Sequence, residues 1–139
     1  RQLVGARHIV VACGGGGPPV FRDPQLGLEG IDAVADKDRV AAILGREIEA
    51  QVLLILTNVD AVYRGYGTPR QEAIRRLSLA QADHLLAGTE LGTGSMRPKV
   101  EAAADFVRAG GERAIIAELA RGLAALQGEA GTTITKEHG

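Results

Sequence analysis

The 139-residue chain has no tryptophan, two phenylalanines, two tyrosines and one cysteine. Aromatics at 3% leave little material for the stacking platforms that bind single-stranded nucleic acid. The lone Cys13 excludes an internal disulfide and fits a reducing cytoplasm, where it reads as a small buried hydrophobe at a strand end. With a net charge of −1, the chain has no basic field to draw in nucleic acid or an anionic membrane surface. No apolar run approaches the length of a bilayer span, and no signal-peptide pattern opens the sequence. His8, His84 and His138 lie far apart, without the spacing of a structural metal site.

Two familiar phosphate motifs are also missing. A Walker loop needs Gly-Lys-Ser/Thr after a spaced glycine, and none occurs. A dinucleotide fingerprint starting at Gly14 would need glycine at Pro19, and one starting at Gly15 would need it at Val20.

What is abundant is glycine, with 19 residues, about twice the usual share. Four of them, Gly14, Gly15, Gly16 and Gly17, follow the apolar run Ile9-Val10-Val11-Ala12-Cys13 and precede Pro18-Pro19-Val20. Successive backbone N–H groups without Cβ atoms can converge into a nest for an anion such as phosphate. The plainer alternative is a flexible strand-to-loop turn. Apolar residues at 45% and charged residues at 24% describe an ordinary soluble domain, long enough to bury a core. The chain begins with Arg1 rather than methionine, which reads as a fragment or a processed product.

Hydrophobic patterning predicts alternating strands and helices. His8–Cys13 reads as a buried strand, 18–35 as a loop with room for a short hairpin, and Lys37–Glu49 as a helix with Val40, Ile43, Leu44 and Ile48 on one stripe. The unbroken apolar run in Gln51–Thr57 marks the central strand of a parallel sheet. Asn58–Gly67 and Gly88–Gly94 read as loops, with a helix start at Ser78 between them that leads to Leu86. Ser95–Ala109 carries Met96, Val100, Ala103 and Val107 at helical spacing and stops at Gly110-Gly111. A strand at Arg113–Ala117, a helix at Leu119–Leu126 and a strand at Thr132–Ile134 follow, with 135–139 as a frayed tail. Glu47, Glu49, Arg75 and Arg76 read as solvated helix faces. The whole is an α/β fold of three layers, helices on both faces of a mostly parallel sheet, with ligands expected at the carboxyl ends of the strands.

Two helix starts carry cations where acids are favoured. Asp36 suits an N-cap and Asp38 the positive helix end, but Lys37 opposes the dipole. In Gly94-Ser95-Met96-Arg97-Pro98-Lys99, Ser95 reads as a cap and Pro98 is tolerated, yet Arg97 and Lys99 are again in the first turn. An anion lying off both helix ends would remove the conflict.

The ordered segments GGGGPPV, DAVADKD, ILTNVDAVYRGYGT, GSMRPKVEAA, GGERAII and AGTTI resemble carbamate kinase, within the amino acid kinase superfamily. The resemblance runs over nearly the whole chain but only over the carboxyl-terminal, nucleotide-binding half of the family. It implies reversible phosphoryl transfer between carbamoyl phosphate and ADP, giving carbamate and ATP, with Mg²⁺ on the nucleotide. It assigns Lys99 to the transferred phosphoryl group, Lys37 to an assisting role and Asp38 to orienting both lysines. Gly14 to Gly17 would line the carbamoyl-phosphate side, while Asn58, Val59, Asp60, Ala61, Tyr66, Ser95, Met96 and Pro98 would frame the nucleotide. For Asp60 a turn-forming role is an equal alternative. No metal-ligating side chain is implied. The parent enzyme would be a cytoplasmic homodimer of arginine metabolism.

Three positions depart from the family pattern: Pro18 for an aliphatic residue, Asn58 for an aspartate, and Arg97 for a glycine, where it would crowd or supplement the phosphate contacts. The amino-terminal half would supply another glycine-rich strand end, a further lysine and most of the dimer surface. The chain alone is therefore expected not to turn over and to expose a sheet edge. The alternatives are a non-catalytic nucleotide-binding module and another amino acid kinase branch with a different acceptor; the pairing of GGGG-x-PV with GSM-x-PK argues against the latter.

Overall fold

Five apolar residues in a row, Val52 to Leu56, followed by Thr57, form a strand packed on both faces over most of its length, and the rest of the architecture follows from covering both sides of it. The computed structural model describes residues 1–12, 19–91 and 94–137. In chain order the elements are α1 (Gln2–Gly5), β1 (Val20–Asp23), β2 (Gly27–Gly30), α2 (Lys37–Glu47), β3 (Val52–Thr57), β4 (Val62–Arg64), β5 (Glu72–Ile74), β6 (Arg76–Ser78), α3 (Leu79–Ala87), α4 (Met96–Arg108), β7 (Arg113–Glu118), a 3₁₀ turn (Leu119–Arg121), α5 (Gly122–Leu126) and β8 (Thr132–Thr135). The main sheet has the order β3-β7-β8-β6. β3 runs parallel to β7 and β6 parallel to β8, while β7 and β8 are antiparallel with Ile115 opposite Thr133. The fold is thus α/β with a mixed, mostly parallel sheet.

Strand alternation sends Leu53, Ile55, Ala114, Ile116, Leu77 and Ile134 to one face, where α2, α4 and α3 cover them. Val52, Leu54, Ile115 and Ala117 point to the other face, beneath α5. The stripe on α4 performs as its spacing predicts: Val100, Ala103 and Val107 are buried, and so is Phe106. Phe106 is seated between two glycines. A Cβ at Gly45 would come within 2.8 Å of its ring, and one at Gly111 would collide with it. Gly110, at φ +116°, ends the helix in a conformation that favours glycine. Ser78 and Gln81 form a reciprocal capping box that starts α3.

Several expectations need correction. Residues 8–12 form no strand; Ile9 and Val11 lie almost fully exposed, because apolar character makes a strand only where another strand pairs with it. β3 is not central: among the described residues it pairs with β7 alone and forms the sheet edge. The expected 58–67 loop contains β4, which pairs with β5 in a separate antiparallel hairpin. Arg75 links β5 to β6 and Arg76 begins β6, so neither is on a helix. The expected helix at 119–126 begins as a 3₁₀ turn. The hairpin anticipated within 18–35 is present as β1–β2, with Phe21 opposite Glu29.

Candidate active site

The carboxyl end of β3 and the amino ends of α2 and α4 converge at one end of the sheet. Asp36 caps α2 through its carboxylate, which accepts from the backbone N–H groups of Asp38 (2.9 Å) and Arg39 (3.0 Å). The Arg39 amide above all, with the Asp38 amide and the charges of Lys37 and Lys99, holds the Asp36 carboxyl below the usual aspartate range. The cap fixes the first turn of α2 and turns Asp38 inward, where it is 7% exposed. Packing of α2 on α4 brings Lys99, 5% exposed, against it, with Nζ 2.8 Å from Asp38 Oδ2. Lys37 Nζ stands 3.6 Å from the same oxygen, with its side chain largely in solvent. Lys99 is thus a fixed ammonium and Lys37 a mobile one, with the Asp36 and Asp38 carboxylates balancing their charge. Two ammonium groups so placed suit a polyanion.

A cavity of about 460 Å³, within the range of small-ligand sites, opens at the start of α4; Lys37, Asp38 and Lys99 are not among its lining residues. Thr57, Asn58, Val59 and Ala61 enter it from the end of β3, Tyr63, Gly65, Tyr66 and Thr68 from the β4 hairpin, and Thr89, Glu90 and Leu91 from the end of α3. Gly94, Ser95 and Met96 close it from α4. Of the residues expected around a nucleotide, Asn58, Val59, Ala61, Tyr66, Ser95 and Met96 line it, whereas Asp60 and Pro98 do not. Asp60 accepts a hydrogen bond from the Tyr63 hydroxyl at 2.6 Å and lies 3.6 Å from Arg75. That hydrogen bond is the main cause raising the Tyr63 phenol above its ordinary pKa. Sequence reading did not single out Thr57, Tyr63, Gly65, Thr68, Thr89, Glu90, Leu91 or Gly94 for this lining; the spacing of Tyr63 and Tyr66, whose rings are 5.7 Å apart, was the available signal for Tyr63.

Ser95 precedes α4 without making a side-chain cap. Arg97 does not reach toward Lys99's partner but donates to the carbonyls of Leu86 (2.5 Å) and Gly88 (2.7 Å) at the end of α3. The misplaced cations of α4 thus have protein partners, Arg97 on α3 and Lys99 on Asp38. Gly14 to Gly17, the expected phosphate nest, lie outside the described residues together with Cys13 and Pro18.

A model of the amino acid kinase family matches residues 1–118, and the chain belongs to this family. Within it, the sequence is similar to carbamate kinases. It is 47% identical over 134 residues to the carbamate kinase of Halobacterium salinarum, covering 96% of this chain and 43% of that protein. With the carbamate kinase of Clostridium perfringens it shares 44% identity over 137 residues, 98% of this chain and 43% of the relative. The carbamate kinase from Giardia lamblia bound to AMP-PNP superimposes with a TM-score of 0.81 at 34% identity, covering 88% of this chain and 42% of that one. The chain therefore spans less than half the length of the curated relatives it matches.

Proposed function

We propose that the chain is the nucleotide-binding part of a carbamate kinase-like phosphotransferase. The reaction moves a phosphoryl group from the acyl oxygen of carbamoyl phosphate to the terminal phosphate oxygen of ADP, releasing carbamate and forming ATP, and runs in both directions. The observation that carries this reading is the buried Lys99–Asp38 pair, whose lysine stands on α4 one turn beyond Ser95 and Met96, which line the cavity. Phosphoryl transfer asks mainly for positioning and for charge stabilisation at the moving group. Lys99, held in place by Asp38, supplies that charge, and the exposed Lys37 adds a mobile ammonium. Asn58, Val59, Ala61, Tyr66, Ser95 and Met96 frame the nucleotide; Asp60 and Pro98 act on that site from behind its lining. Gly14 to Gly17 take the carbamoyl-phosphate side.

Among the described residues no three His, Cys, Asp or Glu side chains cluster as a metal cage, and the Asp38 carboxylate is engaged by two lysines. That donor set fits Mg²⁺ arriving on the nucleotide, held by phosphate oxygens and water. Bound there, the ion would neutralise phosphate charge. In the complete enzyme we place this unit in a cytoplasmic homodimer.

Coverage of only 43% of the relatives favours a second reading for the chain by itself: nucleotide binding without turnover. Calorimetric titration with ADP, beside a coupled assay of ATP formation from carbamoyl phosphate, separates the two. Binding with turnover supports the enzyme, binding alone supports the module, and absence of ADP binding overturns both.

A further inference from the structure

Arg97 occupies the first turn of α4, where that helix's own dipole disfavours a cation. Its guanidinium serves a different helix. Nη1 and Nη2 donate to the Leu86 and Gly88 carbonyls, which belong to the last turn of α3 and the residue that follows it. Carbonyls at a helix end lack intrahelical partners and carry the negative end of the dipole, so a forked cation answers both needs. The segment it closes leads directly into Thr89, Glu90 and Leu91, one wall of the cavity. From the opposite side, Arg64 of β4 stands 2.8 Å from Glu90 Oε2, an ion-pair contact without hydrogen-bond alignment. Ser95 and Met96, immediately before Arg97, form the adjoining wall. A single side chain therefore ties two borders of the cavity to each other.

We propose that Arg97 is a positioning residue for the ligand of this cavity: by clamping the end of α3 to the start of α4, it holds the Thr89–Leu91 wall in its ligand-binding arrangement. The proposal rests on the cavity being the nucleotide site. Without the clamp, the wall samples other arrangements, and apparent affinity falls with the fraction of molecules in the competent one. Lysine keeps the charge but cannot span two carbonyls with a planar fork, so it replaces the arginine only in part.

The test uses the 139-residue chain as wild type, Arg97→Ala and Arg97→Lys, with amide hydrogen exchange of the ligand-free protein and calorimetric titration with ADP. Arg97→Ala is expected to speed exchange at Thr89–Leu91 and to weaken ADP binding about tenfold, the scale of losing charge-assisted hydrogen bonds that are only partly exposed to water. Arg97→Lys is expected to recover part of both, and serves as the decisive variant where the alanine form does not fold. Unchanged exchange overturns the clamp. Faster exchange with unchanged ADP affinity overturns its role in positioning. Failure of the wild type to bind ADP overturns the nucleotide reading and the ligand half of this proposal, while the exchange comparison still decides the clamp.

Discussion

Lys99 and Asp38, 61 residues apart in sequence, meet across the seam of α2 and α4 at 2.8 Å with both side chains buried. Each charge is tolerable there only because of the other. The cost of removing water from an ammonium and a carboxylate can exceed what their mutual attraction returns, so the pair is no guarantee of net stability.

Asp38→Asn, which leaves Lys99 without its counter-charge, should lower unfolding free energy by about 3–5 kcal/mol. Replacing both residues with apolar ones of similar volume, as in Asp38→Leu with Lys99→Met, should recover most of that loss. Urea denaturation of the single and double variants checks this. A double variant no more stable than Asp38→Asn would show that the seam is held by the charges themselves.

Asp36 gives α2 a pH-dependent start. Its carboxyl is held below the ordinary value, so its contribution is complete above the unfolded-chain value of 3.8 and disappears as pH falls through the lower folded value. Asp36→Ala should cost about 1 kcal/mol at neutral pH. The wild type and the variant should converge in strongly acid solution. Thermal melts across the acid range read both effects.

Phe106 tests how tightly the core is built. Its ring is wedged between Gly45 and Gly111 and cannot move away from one without meeting the other. Gly111→Ala should therefore destabilise by about 1–3 kcal/mol, although alanine is the better residue in most backbone settings. A melting temperature at or above wild type would mean that the ring has room the packing does not reveal.

Thr132 is fully buried, and its hydroxyl accepts from the Val62 N–H (2.8 Å) while donating to the Ile74 carbonyl (2.5 Å). These bonds fasten the β4–β5 hairpin, and with it Ala61 and Tyr63 of the cavity, to the main sheet. Thr132→Val keeps the shape and strands both backbone groups, at a cost of about 1–3 kcal/mol each before any relaxation. Exchange of the Val62 amide should rise more than that of residues in β7.

Elements whose patterning is local were legible in the sequence. The α4 stripe and the helix starts at Ser78 and Asp36 follow from spacing over a few residues. Lys37 and Lys99 were also singled out, since cations in a first helical turn conflict with the dipole, and Asp38 entered with them through the family resemblance. What was not legible depends on partners distant in sequence. The run Ile9 to Ala12 is apolar like β3, yet without a neighbouring strand it forms no strand and lies exposed. β4, β5 and β6 are three residues each, too short for a period to declare itself. Arg97 was read against its own helix, when its partners are the carbonyls of the preceding one.

The position of β3 at the sheet edge has a further consequence. Val52 and Leu54 face α5, while Leu53 and Ile55 face α4 and its neighbours, so both sides of the edge are bounded by hydrocarbon. A strand that joins this edge inherits both boundaries at once. Its side chains must be oily in both directions, because a sequence with one wet face would bury polar groups on alternate residues. Among the described residues β3 has no second neighbour, and a strand pairing there would meet apolar cover on both faces.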